Sequence, residues 1–96
     1  MDRNAFETRL QQEGYDEILM IDRPAADPRV VHDHVHDFDV LAMVLSGGLT
    51  VRRPEGNVDF TAGGTFSVPA GCLHSEMVGP QGVSLLVGRR RTRPEA

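Results

Sequence analysis

Ninety-six residues with a formal net charge of −4 make a small acidic chain, long enough for one domain and a thin core. That balance gives no general pull toward nucleic acid, and no apolar run reaches the roughly 18 residues of a membrane span. A single cysteine excludes an intrachain disulfide framework, and Met1-Asp2-Arg3-Asn4 leads into a charged segment unlike a signal peptide, so the expected location is cytoplasmic.

In chain order, residues 2–13 are predicted as a helix. Phe6 and Leu10, with Tyr15 beyond them, fall near one face, while Arg3, Glu7, Arg9, Gln11 and Glu13 keep the rest polar. Asp2 or Asn4 offers an N-cap and Gly14 a terminator. A helix this short needs a surface to pack on. Glu17-Ile18-Leu19-Met20-Ile21 is a strand-length apolar run, and Pro24 and Pro28 break the pattern because neither donates to a ladder.

A histidine-rich stretch over 31–39 follows, and then Val40–Leu45, apolar throughout and expected to be buried on both faces. Ser46-Gly47-Gly48 is predicted to turn it into a returning strand, Leu49–Arg53. Pro54-Glu55-Gly56-Asn57 reads as a hairpin turn into Val58–Phe60. Further strands are expected at Thr65–Val68, His74–Val78 and Val83–Val87, with turns at Ala62–Gly64, Pro69–Gly71 and Gly79–Gly82. The arginines of the run 89–93 read as a solvated end to the final strand. Strands at this spacing, punctuated by ten glycines and six prolines, describe an all-β sandwich or small barrel. The expected organisation is a helical segment over 1–15, a β-barrel over 17–90 and a tail over 91–96. A thin core makes a homodimer a natural supplement to stability.

The chemistry concentrates in His32-Asp33-His34-Val35-His36-Asp37-Phe38-Asp39, joined much later by His74. In a strand, residues two apart face the same side with Cα atoms roughly 6.6 Å apart, which would put the three early histidines in one ladder. Neighbours in that ladder can converge on one ion through bonds of about 2.1 Å. The outer two, about 13 Å apart, cannot both join His34 on one ion. One HxH pair is therefore the chelate and one histidine is spare, and spacing alone does not say which.

Two motifs resemble those of a small cupin. Gly63, five residues, Pro69-Ala70-Gly71, two residues and His74 match most of the second cupin motif. For the first motif, Gly47 serves as the closing glycine, and His36 lies at the spacing that glycine requires. The resemblance covers roughly residues 30–90 and implies a jelly-roll β-barrel (a double-stranded β-helix). It also implies a divalent metal, one of Fe, Mn, Ni or Zn, held by His34, His36 and His74, with His32 the spare. The chain departs from the pattern where the family carries a metal-binding glutamate, because Val40 occupies that position. Asp39, one residue earlier, is the nearest substitute, although adjacent strand residues face opposite sides. Pro28-Arg29 stands where the opening glycine belongs, and Val78 replaces the closing asparagine.

Three imidazoles leave coordination positions open, which metal catalysis requires. Glu76 shares a strand face with His74, so it is a candidate general base or fourth ligand beside Asp39. Asp37 and Asp39 are alternatively hydrogen-bond acceptors that fix ligand tautomers. Cys72 reads as a small buried hydrophobe. The expected function is a divalent-metal protein acting on or binding a small molecule, by oxygenation or isomerisation if it is an enzyme. A non-catalytic ligand-binding or sensing module is the alternative.

Overall fold

The Asp2 carboxylate accepts a hydrogen bond from the Ala5 amide at 2.8 Å, capping α1 (Arg3–Gln12). The helix stops where Gly14 takes φ +79°, close to the expected terminator. Residues 1–91 are described in this computed structural model; Arg93 and most of the expected tail lie outside the described residues. After the helix come β1 (Glu17–Arg23), a 3-10 turn at Pro28–Val30, β2 (Asp39–Arg53), β3 (Gly56–Thr61), β4 (Thr65–Val68) and β5 (Ser75–Arg90). All pairings are antiparallel, in the order β1-β5-β2-β3, with β4 also on β2. The all-β class with one short N-terminal helix is as expected.

The two long strands correct the expected turns at 46–48 and 79–82. Ser46-Gly47-Gly48 and Gly79–Gly82 do not reverse the chain; both lie inside continuous strands. The β2–β5 register slips between Val44 and Ser46 and again between Gly47 and Leu49. An extra residue in one strand bends a ladder without ending it. Gly47 has φ +75° there, and a Cβ on it would collide with the Gly82 carbonyl. Glycine clusters thus mark a bend where two backbones cross closely, and turn propensity alone does not distinguish that from a reversal.

The bend lets each long strand serve two half-sheets. The first half of β2 pairs with β4 and the end of β5, and its second half pairs with β3 and the start of β5. Ala42 and Val44 from one half meet Leu49 and Val51 from the other, together with Phe66, Val68, Leu85 and Val87, in one enclosed core. The alternate residues Leu41 and Met43 face outward and are buried by Phe6, Leu10 and Tyr15. Val40–Leu45 is therefore covered on two sides, which explains its unbroken apolar character. Phe6 and Leu10 are fully buried, each stabilising the helix contact by about 2 kcal/mol. Gly88 allows that approach, because a Cβ there would strike the Leu10 and Tyr15 side chains.

Two buried carboxylates tie down the connections. Asp27 accepts from the Arg29 amide at 3.0 Å and from the Arg29 guanidinium at 2.8 Å, which holds its pKa down at about 2. Asp39 accepts from the Ala70 amide at 2.8 Å and from Arg90 at 3.0 Å. Arg90 also donates to the Glu13 carbonyl and lies over the Tyr15 ring, joining the barrel to the helix. Arg89 and Arg90 are accordingly half-buried members of β5, not a solvated tail. Among the described residues, no helix is long and apolar enough to cross a membrane.

Candidate metal centre

The histidine stretch is not a strand. Between Val31 and Phe38 only His34 makes a β-bridge, and its partner is His74. Hydrogen bonds of 2.8 and 3.0 Å run both ways between their backbones, and the His36 carbonyl accepts from the Gly71 amide at 2.9 Å. The two halves of the site are thus stitched together through main chain. Residues directly opposite in an antiparallel pair project to the same side, so the bridge puts both imidazoles in one place.

His34, His36 and His74 each offer a ligand atom, and all three atoms lie within 4.8 Å of one another. Their ring centroids are 4.2 Å (His34–His74), 5.1 Å (His34–His36) and 5.2 Å (His36–His74) apart. His74 is buried at 3% exposure, while the other two are half-exposed. His34 Nδ1 is 2.8 Å from the His32 carbonyl and His74 Nδ1 is 3.0 Å from the Cys72 carbonyl. A carbonyl only accepts, so in both rings Nδ1 carries the proton and Nε2 keeps its lone pair for the cavity. Such donors fit a borderline divalent cation. Burial is the main cause that lowers the His36 pKa, and the charges of His74, His34 and Arg89 add to it. A lowered pKa keeps that ring neutral, as ligation demands.

Glu76 joins the cluster. Its Oε2 lies 3.7 Å from His34 Nε2 and 3.9 Å from His74 Nε2, so one carboxylate faces both free nitrogens. Asp39 does not. Its carboxylate points to Ala70 and Arg90, on the opposite side of the strand from Val40, which lines the cavity. Asp37 is mostly exposed and pairs with Arg91 at 3.1 Å, so backbone carbonyls and not aspartates orient the rings. The His32 ring is exposed and serves the site only through its carbonyl. Cys72 packs against the core.

The cavity the cluster opens into measures about 90 Å³, enough for a few waters or a small organic molecule. Val40, Phe66, Val68 and Leu85 supply apolar wall. Arg23 and Arg89 also line it, and neither stood out in the sequence. The signal was available in the alternation: Arg23 follows Leu19 and Ile21, and Arg89 follows Leu85 and Val87, on the inward faces of β1 and β5.

No protein-family model matches the chain, and no curated protein matches it in sequence. Solved structures do match. An RmlC-like cupin from Shewanella frigidimarina shares 24% identity at a TM-score of 0.65, over 79% of this chain and 66% of that one. The chain has the cupin fold. A sugar phosphate isomerase of the cupin superfamily from Silicibacter pomeroyi aligns at TM-score 0.63 and 19% identity, over 78% of this chain and 50% of that one. FeII HppE aligns at TM-score 0.62 and 15% identity, over 75% of this chain and 41% of its own. Against that common cupin frame, this chain spans half or less of the last two proteins.

Proposed function

We propose that this cupin-fold chain is a divalent-metal protein whose ion is held by His34, His36 and His74, with a small molecule as its substrate or ligand. The observation that carries this is the pairing of three convergent imidazoles with backbone acceptors that leave at least two Nε2 atoms free. A bound divalent ion would supply Lewis-acid polarisation or oxygen chemistry at its open positions. The chain's own part is to orient and to move protons. Glu76 stands against two of the donors and accepts a proton from a bound hydroxyl or water, or completes the ligand set. Apolar walls restrict water and make the Glu76 charge count for more. Isomerisation and oxygenation both suit this arrangement. FeII HppE and the sugar phosphate isomerase, similar in fold, lend the two possibilities their precedent.

A second reading has its own support. Val40 presents apolar wall where a glutamate ligand would stand, and Asp39 is committed to Arg90, leaving one carboxylate at the cluster. That poverty of acids favours a ligand-binding or sensing module. The proposal extends to a cytoplasmic homodimer, supported by Ile18 and Met20, which are exposed at 44% and 52% on edge strand β1.

Metal analysis of protein purified without added metal, and again after adding Fe, Mn, Ni or Zn, tests the proposal. About one equivalent is expected, falling below about a tenth in a His34→Ala/His74→Ala variant. Less than a tenth of an equivalent in the wild type under every condition overturns the metal reading. Bound metal without turnover or oxygen uptake on a small-molecule panel moves the function to sensing.

A further inference from the structure

Three consecutive arginines, Arg89 and Arg90 at the end of β5 and Arg91 just beyond it, are not alike. Arg90 is matched by the Asp39 carboxylate at 3.0 Å, and Arg91 by Asp37 at 3.1 Å. Among the described residues, Arg89 has no carboxylate partner, and its Nε is buried with no hydrogen bond. Its cross-strand neighbour on β1, Glu17, is exposed and makes no ion pair with it. The Arg89 side chain is nonetheless held in place, with Cζ 4.8 Å from the centre of the Phe38 ring. Phe38 in turn stacks on His36 at 4.8 Å. Arg89 and the three histidines line the same cavity of about 90 Å³, so one small molecule inside it meets both.

The ladder register sharpens this. On the other side, Arg89 sits directly opposite Val40, the position where the cupin pattern carries a glutamate. Opposed residues share a face, so the Val40 methyls and the Arg89 side chain sit side by side on the cavity wall, where among the described residues no carboxylate pairs with the guanidinium. A buried donor without an acceptor is costly, and an arriving anion would supply the acceptor that Arg89 Nε lacks. Arg23 also lines the cavity with a buried Nε that lacks a hydrogen bond, but its place and its partner differ. It lies opposite Val83, six residues along the same ladder from the Glu17–Arg89 pair, or roughly 20 Å of strand. Its Nη1 is also 3.5 Å from Asp27.

We infer that the cavity takes a small organic carboxylate, whose negative group is held by Arg89 next to Val40 while its other oxygen reaches the histidine cluster. A planar guanidinium fork matches a carboxylate bidentately, and a cavity of about 90 Å³ limits the acid to a few carbons. The inference deepens the proposed function and uses the metal reading only for the second contact.

Lactate is the probe, lactamide its neutral counterpart, and inorganic phosphate the competing anion. Zinc-loaded and metal-free protein are each titrated, following the Arg89 Nε–H resonance by NMR and the melting temperature. Lactate should saturate the Arg89 signal and raise the melting temperature, with lactamide and phosphate at least ten-fold weaker. Arg89→Gln should weaken lactate at least ten-fold and Arg89→Lys by less, with zinc content unchanged, while Arg3→Gln on the remote helix has no effect. Equal lactate binding in wild type and both Arg89 variants overturns the inference, as does no lactate binding at all. Lactamide binding as tightly as lactate, or phosphate binding tighter, overturns the carboxylate assignment. Lactate titrating Arg89 in a wild type that takes up no zinc supports this inference while overturning the metal reading.

Discussion

Asp39 and Glu76 are both screened carboxylates near the same cavity, yet their surroundings are opposite. Asp39 is enclosed by an amide and a guanidinium that use its lone pairs for structure. Glu76 faces two imidazole nitrogens at 3.7 and 3.9 Å, beyond hydrogen-bond length, with room between. Asp27 with Arg29 repeats the first pattern, and Arg89 over Phe38 repeats the second. Asp27 and Asp39 are thus paired within the chain, whereas Glu76 and Arg89, both on the cavity wall, make no side-chain hydrogen bond among the described residues.

Substitutions that hit one class and spare the other test that division. The largest expected effect is on the open side. His74→Ala should lower metal affinity at least ~100-fold, read by competition with a chromogenic chelator. An unaltered affinity would detach the imidazoles from any shared ion. On the closed side, Asp39→Ala should cost about 3 kcal/mol in denaturant unfolding, because the Arg90 charge and the Ala70 amide lose their partner. Metal uptake should survive that substitution; its loss would place Asp39 in the site after all. Glu76→Gln should weaken metal binding about ten-fold. It should also leave metal-free stability within about 0.5 kcal/mol, since no structural hydrogen bond is lost.

The smallest effects are those of pH. Asp27 has a folded pKa of about 2 against 3.8 for the free side chain, so its contribution is complete above about pH 4 and lost as pH falls toward 2. Asp27→Asn should flatten the acid melt across that window. His36, with its pKa lowered from 6.5, behaves in the same sense at higher pH. The unfolded chain takes up the proton first, so metal-free protein should lose stability as pH drops below about 6.5. A His36→Gln variant without that slope would confirm the source, and an identical slope would assign it elsewhere.

Much of this was legible from residue order. Alternation and glycine–proline punctuation specified the all-β class, Asp2 or Asn4 and Gly14 bounded the helix, the cupin resemblance pointed to His34, His36 and His74, and strand alternation from His74 pointed to Glu76. Those features depend on period and local chemistry, which a linear chain carries in full. Tertiary structure decided the rest. A glycine pair reads as a turn until a second backbone crosses it at Gly47 and Gly82. The histidine stretch reads as a strand until its only ladder partner among the described residues proves to be His74, more than thirty residues away. Asp39 reads as a substitute ligand or an acceptor for a ligand histidine until Arg90 is seen to pair with it. Whether a charge is satisfied depends on neighbours brought in from distant sequence, and for Arg89 only the folded barrel shows that no carboxylate among the described residues pairs with it.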